Sequence, residues 1–283
     1  MIYFSTGGFK NYQPSKVVNL FIENNIYNIE LSGGIYEKDI LKKLKKLPRN
    51  VNAQIHNYFP PPKFPFVLNL ASFDKEISSK TINHIKYAIN FSSELNSSFY
   101  SFHAGFLIDP KPDELGRKIV PKKLSKRKDA IEIFTERLNA LSIFAERKGV
   151  NLLVENNVLS RQNLINFKTD PLLMTHPDEC SQIMKQTPDN INMLLDFAHL
   201  KVSAKSLQFE PNTIFKKCSK WIKAYHLSDN NGLSDSNDNI KKDSWFMKND
   251  YSRNKFAVIE VYTESFPRIK NQIKIVEDNF YNN

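Results

Sequence analysis

One pattern recurs eight times along the 283 residues: a short apolar or β-branched run stops abruptly on a polar or charged residue. The runs are 2–4 before Ser5, 26–29 before Glu30, 51–55 before His56 and 98–102 before His103. They continue as 151–154 before Glu155, 191–195 before Asp196, 221–225 before His226 and 256–259 before Glu260. Each run has the length of a strand. Several are apolar throughout, as expected of parallel strands buried on both faces. Between them, residues 14–25, 38–47, 77–95, 129–148, 177–185 and 265–279 carry apolar side chains at three- and four-residue spacing, which predicts helices. Pro14 and Pro177 suit first-turn positions, and Asp129 and Ser265 suit helix N-termini. Strand–helix alternation predicts an α/β fold with a parallel sheet. Eight such units predict closure into a (β/α)8 TIM barrel spanning one domain, residues 1–283, close to the roughly 250 residues usual for such a barrel.

Composition narrows the setting. A hydrophobic fraction of 41% can fill a sizeable core, and 25% charged residues is ordinary for a globular protein. Forty basic against thirty acidic residues leave a net charge of +10. Such an excess favours nucleic acid, an acidic membrane surface or an anionic small substrate, while general Lys and Asn enrichment is the plainer explanation. Cys180 and Cys218 form no CxxC pair and are too few for a disulfide framework, so two free thiols in a reducing compartment are expected. Residues 1–10 lack a charged leader followed by an apolar stretch. No apolar run approaches the ~20 residues needed to span a bilayer. The expectation is a soluble cytoplasmic protein with no membrane partner and no feature that specifies an oligomer.

In a barrel of this kind, chemistry sits at the C-terminal ends of the strands. The eight terminal residues here are three His, three Glu, one Asp and one Ser. Ser5 reads as a cap. For Glu30 a cap and a site role weigh equally. Glu155, Asp196, His226 and Glu260 end neighbouring strands, so their tips should converge. Three carboxylates and one imidazole suit a hard or borderline divalent cation, with Mn, Mg, Co and Zn all admissible. Such an ion polarises a substrate oxygen, and a carboxylate on each side of a bound sugar can move a proton between adjacent carbons. Residues 109–128 carry eight basic side chains, including Arg117, Lys122, Lys123 and Arg127, and three prolines. They predict a long loop near the pocket, either a solvated surface or a clamp for phosphate or carboxylate groups.

The motifs Val154-Glu155-Asn156-Asn157, Asp196-Phe197-Ala198-His199, His226-Leu227-Ser228-Asp229-Asn230 and Ile259-Glu260-Val261, in this order, resemble the xylose-isomerase-like barrels. That family includes sugar-phosphate isomerases, ketose 3-epimerases and endonuclease IV-type DNA-repair enzymes. The resemblance covers essentially the whole chain. It implies that Glu155, Asp196, His226 and Glu260 are the shared metal ligands, and that Glu155 and Glu260 are the acid/base pair of the epimerases. His199 matches a residue that binds substrate in epimerases and a further zinc in the nucleases. His56 and His103 match the two histidines that hold another zinc in the nucleases. Asp229 and Asp235 join these histidines as residues for substrate or a second metal. The stretch 66–72 is also similar to the nucleases. His84 and His176 match nothing; His84 is expected on the outside of a helix and His176 in a helix-entry turn.

After the seventh run the chain departs from the nuclease pattern. Asp235-Ser236-Asn237 stands where the nucleases carry Asp-x-His, and no Gly-Glu-Gly turn follows. Trp245 and Phe246 are left as possible pocket walls, or as two aromatics packed under a loop. These readings favour a metal-dependent isomerase or epimerase acting on a sugar, sugar phosphate or related polyol derivative, a small anionic or polyhydroxylated molecule. A metal-dependent phosphodiesterase or apurinic-site endonuclease, with nucleic acid as partner, comes second. A non-catalytic carbohydrate-binding barrel comes third, because binding alone does not require four metal ligands.

Overall fold

The computed structural model describes residues 1–248 and 255–280. In chain order the elements are β1 (Ile2–Ser5), α1 (Pro14–Glu23), β2 (Asn28–Leu31), α2 (Ile40–Leu44), β3 (Asn52–His56), α3 (Lys75–Glu94), β4 (Phe99–His103) and α4 (Arg127–Glu146). Then follow β5 (Asn151–Glu155), α5 (Arg161–Phe167), α6 (Pro177–Met184), β6 (Ile191–Asp196), α7 (Phe197–Leu207), α8 (Thr213–Cys218), β7 (Ile222–Leu227), β8 (Phe256–Ile259) and α9 (Phe266–Asn279). The eight strands pair in sequence order, all in parallel, and β1 closes on β8. This is the (β/α)8 barrel that the alternation predicts.

The expected strand ends fall within a residue or two of the observed ones, and Pro14 and Pro177 both occupy the first helical turn. Other boundaries move for identifiable reasons. α3 begins at Lys75 because the Asp74 carboxylate accepts the N–H groups of Glu76 (2.8 Å) and Ile77 (2.9 Å). α4 begins at Arg127, which places Asp129 inside the first turn rather than at its edge. Three helices have no counterpart in the sequence pattern: α5, α7 and α8. The first and last have only seven and six residues, too few to display a period. α7 starts directly after β6 because Asp196 serves as both strand end and N-cap.

The core is continuous from strand to helix. Leu152, Val154, Ile191, Met193, Leu195 and Tyr225 are buried beneath Phe134, Leu138, Phe197 and Leu200 of the surrounding helices. Buried Cys180 and Cys218 are free. Among the described residues no helix is long and apolar enough to cross a membrane. One expectation fails here, and one open choice is decided. His84 is buried on α3, with its ring 5.7 Å from that of Tyr58, rather than on the outer face. Phe246 is fully buried and stacked on Phe197 at 5.0 Å, with Trp245 edge-on to the same ring at 5.6 Å. The pair therefore packs against Phe197 of α7, the second of the two readings above. His176 does lie in a helix-entry turn, as the N-cap of α6.

Candidate metal centre at the strand C-termini

Parallel register brings the strand tips level. His103 pairs with Glu155 across β4 and β5, and Asp196 with His226 across β6 and β7. Glu260 follows β8 by one residue, and its N–H bonds to Leu227 O at 2.9 Å, which ties it to the end of β7. Consequently Glu155, Asp196, His226 and Glu260 each offer one ligating atom, and these atoms all lie within 4.8 Å of one another. His226 Nδ1 is 3.2 Å from Glu155 Oε1, 3.1 Å from Glu260 Oε2 and 3.8 Å from Asp196 Oδ2.

The donor set fits a cation. Both Glu155 oxygens, Asp196 Oδ2 and His226 Nδ1 are buried without a hydrogen-bond partner. Buried polar atoms are normally paired. Here several acceptors face one another, which is costly unless a positive charge sits among them. The free lone pairs also belong to the residue types that bind divalent ions. The other atoms of the ligands are held by the frame. Asp196 Oδ1 accepts His199 N–H at 2.7 Å, and His226 Nε2 donates to Glu30 Oε2 at 2.9 Å. Asn156 fixes β5 to β6 by exchanging two bonds with the Asp196 backbone (2.8 and 3.1 Å). Asn157 donates to the carbonyls of Ala104, Gly105 and Leu173. The two asparagines of the Val154–Asn157 motif thus support the site rather than enter it.

Histidines surround Glu155. His103 Nδ1 lies 3.1 Å and His56 Nε2 3.5 Å from Glu155 Oε2, and these three residues form a second group that could hold a cation. His56 Nδ1 is fixed by Ser101 Oγ at 2.9 Å. His199 is held by Asn156 O (2.8 Å) and by Asp235 Oδ2 (3.2 Å). Asn237, beyond Asp235, accepts the Tyr262 N–H through its carbonyl at 3.1 Å. Asp229 does not join the cluster. Its carboxylate is taken by Lys201 Nζ (2.7 Å), Ser244 Oγ (2.7 Å) and the Asn230 N–H (2.8 Å), which hold the loop after β7.

The electrostatics are those of a site built around positive charge. Burial works against ionised Glu155, yet the imidazoles of His103, His226 and His56 outweigh it and hold the carboxyl well below its usual range. Burial, with Glu155 and Asp235 nearby, raises Asp196 well above its usual range, against the pull of His199 and His226. Burial would lower His226, but Glu30, Glu155 and Glu260 overcome it and raise the imidazole. His199 is raised in the same way by Asp196 and Asp235. His103 goes the other way, down to about 4, chiefly through burial.

A cleft of about 230 Å³ opens on this cluster, lined among others by Lys10, Ser32, His56, His103, Glu260 and Tyr262. Lys10 Nζ lies 4.5 Å from the centre of the Tyr262 ring. Neither residue has a sequence signature, because both reach the mouth from loops. The basic segment 109–128 borders a different cleft, with Asn69, Asp109, Lys122 and Lys123 on its walls. It is tied down internally. Glu114 accepts the N–H groups of Lys111 (2.6 Å) and Val120 (2.9 Å), and Asn163 bonds to Ile119 N and Arg117 O. Arg127 is a brace rather than a clamp: it binds Glu179 (2.5 Å) and the carbonyls of Asp170 and Leu172.

Comparison with known proteins agrees with this architecture. A D-tagatose 3-epimerase-like protein matches with 17% identity, a TM-score of 0.69 and 98% of each chain covered. D-psicose 3-epimerase from Clostridium cellulolyticum matches with 12% identity, a TM-score of 0.66 and 99% of each chain. Endonuclease IV from Thermus thermophilus matches with 12% identity, a TM-score of 0.61 and coverage of 98% of this chain and 99% of the other. At these identities the likeness is one of fold. Among curated proteins none matches the chain. The family model for the xylose isomerase-like TIM barrel matches residues 20–250, and the chain belongs to that family.

Proposed function

We propose that the protein is a divalent-metal-dependent isomerase or epimerase of a sugar, sugar phosphate or related polyol derivative. Glu155, Asp196, His226 and Glu260 would hold the ion, and Glu155 and Glu260 would transfer the proton. The observation that carries this reading is the four-residue cluster with its unpaired, inward-facing acceptor atoms, next to a small cleft that Glu260 lines. When bound, a divalent ion supplies Lewis-acid polarisation of a substrate oxygen. The chain's own residues do the rest. Glu155 is held ionised by the surrounding imidazoles, so it can accept a proton from a carbon next to a carbonyl. A carboxyl group on the other side of the substrate then returns a proton to the same or the neighbouring carbon, and no net charge is moved. His56 and His103 line the cleft, and they, with buried His199, would position hydroxyl groups or hold a second metal. The cleft has the size of one small molecule, which suits a sugar better than a duplex.

The second reading, an apurinic-site endonuclease, is favoured by the adjoining His56–His103–Glu155 group. Asn237 speaks against it, because a neutral amide is a poor zinc ligand beside imidazole or carboxylate. The test is a small-sugar screen with Mn²⁺ or Co²⁺ in deuterated buffer. Exchange of a carbon-bound proton is expected, with Glu260→Gln lowering its rate by about 10²–10⁴. Rapid metal-dependent nicking of a duplex carrying an apurinic site, lost in Glu260→Gln, would overturn the proposal in favour of the nuclease. A metal count gives a second check: one ion per chain accords with the isomerase reading, two or three zinc ions with the nuclease.

A further inference from the structure

Glu30 ends β2, three strands around the barrel from β7, yet its carboxylate meets His226 across the interior. The contact is 2.9 Å between Glu30 Oε2 and His226 Nε2, and both side chains are sealed from solvent, at 1% and 0% exposure. No Lys or Arg forms an ion pair with Glu30 among the described residues. A carboxylate buried this deeply needs a charge-assisted donor, and His226 supplies it. The consequence falls on the other ring nitrogen. With the proton committed to Nε2, the Nδ1 lone pair is left to point at Glu155, Asp196 and Glu260, where it stands without a hydrogen-bond partner. The imidazole cannot turn over without breaking its bond to Glu30 and bringing a C–H edge to the cluster.

We infer that Glu30 is a positioning residue for the cation site: it fixes the tautomer and the ring orientation of His226, so that Nδ1 serves as ligand. The inference rests on the metal reading above and goes beyond it: Glu30 converges with His56 and His226 as a group of its own, but it is not one of the four residues grouped around Nδ1. A carboxylate behind a ligating imidazole typically changes metal affinity by about 10–100-fold.

The experiment uses Mn²⁺ titration calorimetry on wild type, Glu30→Gln and Glu30→Leu. It adds the nitrogen-15 spectrum of the Zn²⁺-loaded proteins, with His226→Ala to assign the signal. In wild type, His226 should keep a slowly exchanging proton on Nε2 while Nδ1 carries the metal-bound shift. Gln still offers an acceptor, so Glu30→Gln should keep that signature and lose about tenfold in affinity. Leu offers none, so Glu30→Leu should lose the signature and about a hundredfold in affinity. Circular dichroism and melting of the metal-free variants report folding separately, and if the Leu variant fails to fold, the Gln variant alone decides. Wild-type affinity in both folded variants, or a metal-bound Nε2 in wild type, overturns the inference and leaves the metal reading intact. Failure of wild type itself to take up Mn²⁺ or Zn²⁺ sinks the metal reading, and this inference with it.

Discussion

Replacing Asp196 with Asn should stabilise the metal-free protein and destabilise the metal-loaded one. The Asp196 side chain is fully buried; Oδ1 caps α7 at the His199 N–H (2.7 Å), and Oδ2 has no hydrogen-bond partner. Asn and Asp are equivalent as N-caps, so the variant keeps the first bond. What it removes is a carboxyl raised by burial and by the charges of Glu155 and Asp235. Holding an ordinary carboxyl neutral at pH 7 costs at most about 4 kcal/mol, the free energy of protonating it there. The amide NH₂ left in its place lacks a partner and returns about 1–3 kcal/mol of that. The net gain is at most about 1–3 kcal/mol, and each kcal/mol moves Tm by about 2–4 °C for a chain of this size. A folded-state value raised above the unfolded one costs nothing below the unfolded value and costs more as pH rises towards the folded value. The advantage of the variant should therefore vanish below about pH 4. With Mn²⁺ at about a thousand times its Kd, wild type gains about 4.1 kcal/mol that the variant does not, and the order of the two melting temperatures reverses. Calorimetric melting in EDTA and in Mn²⁺ reads both signs. A variant less stable than wild type in EDTA at pH 7 would refute the view that this carboxylate is held for a cation at the expense of the fold.

Three further outcomes follow from particular contacts. Arg127→Ala should cost about 2 kcal/mol in chemical denaturation, because its carboxylate and carbonyl partners lose a charged donor. Lys122→Ala with Lys123→Ala should leave both stability and KM essentially unchanged; a raised KM for an anionic substrate would return the segment to the site. Burial pushes His84 down to about 4, below its usual range, so the fold favours its neutral form. That contribution, up to about 3 kcal/mol, is fully present above pH 6.5 and is lost as pH falls towards 4. His84→Phe should flatten the acid limb of the stability profile, and an unchanged limb would show that the imidazole is not the titrating group.

The barrel is legible because each strand announces itself twice, by an apolar run and by the polar residue that stops it. Geometry then requires the polar ends to meet: Asp196 faces His226 in register, and Glu260 is tied to the end of β7. What is not legible depends on distance through space. Glu30 and His226 are 196 residues apart and touch across the barrel, which no local pattern encodes. Phe246 is left open, and His84 escapes the sequence, for a related reason. An aromatic in a loop, or a histidine on a helix, takes its surroundings from whatever packs over it, and here that is Phe197 and Tyr58. Asp229 is drawn in by its motif, but its neighbours Lys201 and Ser244 come from segments whose meeting only the fold decides.

The distribution of unsatisfied groups supports a single working end. Twelve buried side-chain atoms lack a hydrogen-bond partner among the described residues, and six of them belong to Glu30, Glu155, Asp196, His226 and Asp235 at one mouth of the barrel. Five of those six are carboxylate oxygens, so the local shortage is of positive charge and not merely of hydrogen-bond donors. The histidines beside them answer part of it: His199 and His226 are pushed towards their charged forms by these same carboxylates. A protonated His226, however, uses the lone pair that a metal needs. Proton and cation therefore compete for one place, and binding of a divalent ion must expel protons. The mouth can thus be electrically balanced in either of two ways, by protons or by an ion, and under the proposed function it is the ion about which Glu155 and Glu260 would hold a substrate oxygen.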